Sequence, residues 1–444
     1  MTGLSAISSR SAFMRVELRP ALLLCLHIAA CCWSLVYAAD SFPGIINFDK
    51  SRLLVALLSV APFAVLSILF VISRFSFGYF LGFYFYTMIL GYLWLVEFSQ
   101  LPYDHLLARI SIFLSGLAFL MPALFITSPV RQRLVLSARA HDMLPSLILI
   151  LGAIVVAVGA SYNFKLASLD DIYKFREGLE FPTLLRYAIG VTSNALLPFA
   201  FACFVVRRNH WGAGAALLLI LLFYPVTLTK TTLLAPFWLL FLTLLSRAFE
   251  IRTAVILSLF LPISCGIGLK LLNEAGLVPY ALESQYFGAI NSRMIAMPSI
   301  AMEVYNNFFS THDLTHFCQI VILKPFIDCP YNEQLSLVMS KTYPLGAFNA
   351  SLFATEGIAS VGPVLAPLSA LGCGLVIALA NRLSSGLPPK FIILSGGVLP
   401  HIFLNVPLST TLLSNGAALL FLLWYVTPRV APKDIQSTNE DSGQ

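Results

Sequence analysis

Apolar runs too long for anything but membrane-spanning helices fill almost the whole of this chain. Stretches such as Leu53 to Ile72, Met143 to Tyr162 and Ile251 to Leu272 reach the ~18 or more mostly apolar residues that a bilayer-crossing helix needs. In hydrocarbon every backbone amide must be satisfied internally, and these runs exceed the length of a barrel strand, so helices follow. Composition agrees: 58% of the 444 residues are hydrophobic and 11% charged, against about 25% charged in soluble domains. The expected fold is all-α, a polytopic integral membrane protein with about twelve transmembrane helices. One multi-spanning domain is expected over residues 1–434, followed by a short disordered tail over 435–444.

Spans are expected near Ala21–Ala39, Leu53–Ile72, Tyr79–Val96, Ala108–Ile126, Met143–Tyr162, Tyr187–Val206, Trp211–Leu228, Thr231–Leu245, Ile251–Leu272, Gly357–Ala380, Phe391–Val406 and Leu412–Val426. Arg10, Arg15 and Arg19 precede the first run. That run is longer than the ~7–15-residue core of a secretory signal, which favours an uncleaved first helix. Alternate short loops carry Arg74; Arg131, Arg133 and Arg139; Arg207 and Arg208; Arg247 and Arg252; Arg382 and Lys390; and Arg429 and Lys433. The positive-inside rule assigns these loops, and with them both termini, to the cytoplasm. The net charge of +6 therefore belongs to membrane topology and implies no nucleic-acid partner.

Two long gaps, 163–186 and 273–345, then face outward, and they hold most of the unusual polar residues. Six of the eight cysteines lie in or beside spans and act as small apolar residues. Cys318 and Cys329 share the second gap; a disulfide there would pin the loop in an oxidising compartment, while two free thiols are the competing expectation.

Arg186 abuts a span and Arg176 lies within the first gap. A guanidinium keeps its charge and offers a planar fork suited to phosphate. The pair therefore suits a pyrophosphate whose lipid tail stays in the bilayer. The alternative is interfacial snorkelling with pairing to Asp170, Asp171, Glu177 or Glu180. Lys230, at a tight turn beside Thr229, Thr231 and Thr232, is either a further anion ligand or an ordinary turn residue. In the second gap Arg293 is a third phosphate candidate. After Pro298, the spacing of Ile300, Val304 and Phe308 predicts an amphipathic helix too short to span, lying along the interface or dipping into it.

His312 and His316 stand four apart, but Asp313 occupies the place where zinc proteases carry glutamate, and no third ligand is evident. His312 is instead a candidate proton acceptor. Glu356 enters an apolar helix without a cation beside it in sequence. A carboxylate there needs a partner or a function. It either pairs with an arginine of the gaps or acts as the base that removes a proton from a sugar hydroxyl.

Arg186-Tyr187 followed by Asn194-Ala-Leu-Leu-Pro198, Lys230 in its threonine-rich turn, Arg293 with Pro298 and Tyr305 to Phe309, and Asn349-Ala-Ser through Glu356 to Gly362 together resemble the oligosaccharide repeat-unit polymerases, the Wzy-type O-antigen and exopolysaccharide polymerases. The first four spans carry no part of the resemblance. It implies a metal-independent, cofactor-free inverting glycosyltransferase of the bacterial inner membrane. Such an enzyme joins undecaprenyl-pyrophosphate-linked oligosaccharides at the periplasmic face during O-antigen, capsule or exopolysaccharide synthesis. Glu356 and His312 would be catalytic, and Arg176, Arg186, Lys230, Arg293, Tyr305 and Asn349 would hold pyrophosphate or glycan. The implied partners are the lipid-linked substrate, membrane lipids, a chain-length regulator and a flippase. A lipid-linked oligosaccharide ligase would share this topology; a flippase-type transporter would place charges deep in its helices.

Overall fold

A computed structural model of the chain describes residues 3–39 (backbone alone for 3–19), 41–166, 180–320, 323–343, 345 and 349–429. Regular structure among them is helical, apart from one antiparallel bridge between Ile46 and Ser99. Among the described residues, ten helices are long and apolar enough to cross a membrane, from Pro20–Ala39 through Phe353–Ser384. The chain is an all-α, multi-pass membrane protein.

The last two expected spans take a different form. Pro389–Ser395 and Leu399–Asn405 occupy the first stretch, and Leu408–Leu413 and Ala417–Val426 the second. Gly396-Gly397 separates the first pair, where helix propensity falls by about 1 kcal/mol per glycine. Gly416, at φ 76°, separates the second. Mean hydropathy registers the apolar side chains but not these breaks.

Two compact units divide the chain. The first comprises Met1–Ile126, Leu245–Ala378 and Pro400–Thr410. At its centre runs Phe77–Leu95, whose nineteen residues are all buried. The first helix (Gly3–Ala39), Leu53–Val65, His105–Phe125 and Met297–Phe309 pack around it. Aromatic rings supply much of the contact: Phe70 meets Tyr79, Phe83 and Tyr86 edge-on at 5.4, 5.5 and 5.4 Å. Such pairs add ~0.5–1.5 kcal/mol beyond the area they bury. At one end of this helix Glu97 is buried between Arg109, at 2.7 Å, and Arg52, at 3.5 Å. A buried carboxylate is tolerated when paired in this way.

The second unit comprises Thr127–Leu244, Leu379–Leu399 and Thr411–Gln444. Ala138–Tyr162, Leu197–Val206 and His210–Thr227 form its bundle, with Pro389–Ser395 laid against Leu197–Val206. His210–Thr227 stops where Leu228 adopts φ 48°. The Asn163 amide caps the freed carbonyls of Pro225 and Val226 at 3.2 and 2.9 Å.

Candidate functional site

Three helices contain a segment of wider, π-helical register: Thr192–Leu196 in the second unit, and Ser292–Ala296 and Phe353–Ala359 in the first. Proline accounts for the first two. Its ring clashes with the carbonyl four residues back in an α-helix, and it has no N–H to donate. Immediately before Pro198 the Leu197 amide reaches back to Thr192, and before Pro298 the Met297 amide reaches back to Ser292. The wider turn relieves the clash. π-Turns frequently mark functional sites. Of the candidates read from the sequence, Arg293 and Glu356 fall on such segments, as does Asn194 of the quoted Asn194–Pro198 motif.

Glu356 lies inside the third segment with 3% exposure. Its carboxylate does not take part in the ion pairs seen among the described residues; its partners there are hydrogen-bond donors. Thr355 Oγ1 donates to Oε2 at 2.5 Å, and the Ser409 amide and hydroxyl reach Oε1 at 3.1 and 3.3 Å. A carboxylate held by donors alone keeps its lone pairs occupied while remaining able to take a proton. Close by in sequence and in the docked loop, Ser351 Oγ and Gln319 Oε1 are buried and make no hydrogen bond among the described residues.

The segment after Met297–Phe309 is stitched onto this π-turn. The Thr315 amide donates to Ala359 O at 2.8 Å and the His316 amide to Ser360 O at 3.2 Å. Gln319 Nε2 donates to Thr355 O at 3.3 Å and to Ser360 Oγ at 2.7 Å. Pro363, four residues on from Ala359, has no N–H to give its carbonyl, and the chain is kinked just before it at Gly362, φ 73° and ψ 170°. His316 and Phe317 take left-handed conformations, φ 48° and 67°, each costing ~1–2 kcal/mol; the hydrogen bonds to the π-turn offset this strain. Cys318 and Cys329 are joined by a disulfide with Cα atoms 5.3 Å apart, which closes the loop on itself.

An open cleft of about 570 Å³ lies on this loop, lined by His312, Asp313, Leu314, His316, Asp328, Cys329 and Pro330. His312 stacks on Phe308 with ring centroids 3.9 Å apart, and its Nδ1 is 2.8 Å from Phe308 O. A carbonyl can only accept, so Nδ1 carries the proton and Nε2 is the acceptor nitrogen. Among the described residues no cluster of three or more histidine, cysteine or acidic side chains is arranged to hold a metal.

The remaining candidates divide between the units. Arg293, Tyr305 and Asn349 belong to the first, with Glu356 and His312; Arg186 and Lys230 belong to the second. Arg293, Arg186 and Asn349 are exposed and Lys230 is half-buried. Arg186 is not in a loop, as its expected place beside a span implied: the helix begins at Thr183, so Arg186 sits in its first turns. Tyr305 is buried, and burial together with the Glu356 charge pushes its hydroxyl pKa up. Arg176 lies outside the described residues.

The helix after Pro298 is a second correction. It forms as Met297–Phe309, but every residue except Met297 and Asn307 is buried. It is an enclosed element packed on Phe77–Leu95 and on the π-turn of Glu356, not one lying along the interface. The apolar stripe was real, but Ser299 and Asn306 on its other faces hydrogen-bond to protein groups, and Glu303 does so through one carboxylate oxygen. Glu303, with Tyr103 and Tyr92, is the polar group that sequence reasoning passed over. A glutamate between Met302 and Val304 in an otherwise uncharged helix was the available signal.

Compared with family models, with curated proteins and with solved structures, the chain has no match.

Proposed function

We propose that this multi-pass membrane protein is a glycosyltransferase that joins lipid-linked oligosaccharide units, with a polyprenyl pyrophosphate as the leaving group. The carrying observation is Glu356: a carboxylate enclosed in a π-turn and held by hydroxyl and amide donors, with Gln319 docked on the same turn. In this reading Glu356 takes the proton of the acceptor sugar hydroxyl as that oxygen attacks the anomeric carbon. The bond from that carbon to the pyrophosphate breaks as the new glycosidic bond forms. Charge grows on the departing phosphate, and a fixed guanidinium such as the exposed Arg293 stabilises it. His312 Nε2 offers a further proton acceptor on the adjoining loop. The bacterial inner membrane, with this loop at the periplasmic face, is the corresponding location.

The test is a gel assay on purified protein in nanodiscs, given a polyprenyl-pyrophosphate oligosaccharide. A ladder of lengthened glycans, lost in Glu356→Gln and Arg293→Ala variants that still fold, is the expected result. A single transfer to a different lipid-linked acceptor would make it a ligase. One structural observation favours a second reading: interrupted helices with polar residues at the break also build substrate sites in transporters. Intact substrate that crosses the bilayer unmodified would establish that reading and make Glu356 a coupling residue.

A further inference from the structure

A buried carboxyl outside the site just described is surrounded by the groups of a proton-binding site. Glu303, on Met297–Phe309, is 0% exposed. Its Oε2 accepts a hydrogen bond from the Tyr103 hydroxyl at 2.5 Å. The Tyr103 and Tyr92 hydroxyls are 3.2 Å apart, and Asn306 Nδ2 donates to Tyr92 Oη at 3.2 Å. Donation therefore runs one way, from Asn306 to Tyr92 to Tyr103 and finally to Glu303. The other carboxyl oxygen, Oε1, is buried and makes no hydrogen bond among the described residues. An ionised carboxylate enclosed in the protein with one oxygen unbonded is strongly disfavoured, whereas the protonated group carries no net charge.

We propose that Glu303 is a proton-binding site, held in a hydrogen-bonded chain with Tyr103 and Tyr92, whose ligand is the proton itself. Tyr103 lies in the short segment between Phe77–Leu95 and His105–Phe125, with its hydroxyl turned onto the enclosed acid. The ring of Tyr103 rests against His105, centroids 4.4 Å apart, and His105 Nε2 is 2.9 Å from Leu101 O. That contact fixes the tyrosine over the acid. Burial raises the Glu303 pKa to about 7, against the opposing pull of the Tyr103 hydrogen bond, the nearby Ser99 and the charge of Arg109.

Among the described residues, the surrounding elements give Glu303 no ion pair. Phe77–Leu95 presents Tyr92, and His105–Phe125 presents Arg109, which is committed to Glu97 at 2.7 Å. From the same helix His105 reaches Tyr103 rather than the acid. The π-turn contributes Glu356, whose oxygens are taken by Thr355 and Ser409. Arg293 lies ten residues earlier in the chain, on the exposed first part of the preceding π-segment. Proton occupancy is the means by which the charge of Glu303 is removed. This site stands independently of the proposed glycosyl transfer.

The experiment is infrared spectroscopy of the full-length protein in nanodiscs, following the carbonyl absorption of protonated carboxyl groups as pH is raised. The expected result is a band that titrates near neutrality, is lost in Glu303→Gln and survives in Glu356→Gln. Tyr103→Phe removes a donor that favours the ionised form, so the midpoint should rise by about one pH unit. A band that does not titrate between mildly acidic and mildly alkaline pH, or one that persists in Glu303→Gln, would overturn the proposal. If Glu303→Gln does not fold, Tyr103→Phe decides: an unmoved midpoint rejects the site, and a raised one supports it.

Discussion

The amide of Thr315 donates to the carbonyl of Ala359 at 2.8 Å, and this bond joins the loop carrying His312 to the π-turn carrying Glu356. In an α-helix that carbonyl would meet the amide of residue 363, but Pro363 has no N–H to give, so the carbonyl is left open to Thr315. Gly362 maintains the break. Its φ of 73° with ψ of 170° lies in a region open essentially to glycine alone. Gly362→Ala should therefore destabilise the protein by about 1–3 kcal/mol. Thermal unfolding in detergent would show a lowered transition, and an unchanged one would mean that the kink is not required.

The disulfide between Cys318 and Cys329 closes the same loop. Replacing both by serine should leave the spans folded but release the loop, at a cost of ~2–4 kcal/mol to local order. Faster proteolysis or hydrogen exchange confined to residues 311–334 is the expected signature. Uniform loosening across the spans would instead assign the disulfide a global role.

Glu356→Gln keeps the size and much of the hydrogen bonding of the side chain but cannot accept a proton. On the proposed mechanism it should lower glycan transfer by about 10²–10⁴-fold with binding of lipid-linked substrate little changed. Comparable loss of binding and turnover would point to a purely structural carboxylate.

Close packing around Phe77–Leu95 makes a prediction far from any chemistry. A Cβ added at Gly91 would lie 2.6 Å from Ser299 Oγ and 3.0 Å from Ile295 Cγ2. Ser299 Oγ donates to Met88 O at 3.0 Å or to Ile295 O at 2.7 Å, so it has little freedom to move. Gly91→Ala should cost ~1–3 kcal/mol, readable as a lowered unfolding temperature. Gly214→Ala, with no heavy atom within 4 Å of the new carbon, should not.

Stability should also depend on pH through Glu303. Its folded pKa of about 7 stands above the ordinary 4.5, so the folded state holds a proton that the unfolded chain has released. The contribution is fully present below about pH 4.5 and is lost as pH rises through about 7. Chemical denaturation at a series of pH values should show wild type weakening between these limits while Glu303→Gln holds steady. Parallel curves would rule out this linkage.

Membrane spans were legible because hydrocarbon imposes one rule on every backbone amide, and a long apolar run has one solution. Gly396-Gly397 and Gly416 escaped the same logic, since they break helices without changing hydropathy. Glu356 stood out as a lone charge entering a span, yet its donor Ser409 lies 53 residues away in sequence, and Thr315, docked on the same turn, lies 44 residues from its partner Ala359. The Glu303 site was hidden for the same reason: Tyr103 lies 200 residues from its partner. Sequence exposes chemistry that is local or costly; it does not expose a partner brought in from a distant turn.

The π-turn at Phe353–Ala359 also makes the direction of Glu356 a matter of chain length. Successive residues of an α-helix are rotated by about 100° about its axis. Deleting one residue from the widened turn would restore ordinary register and swing one flank of the break by that angle relative to the other. Every side chain would keep its identity, but the carboxylate and its serine donor would no longer share a face.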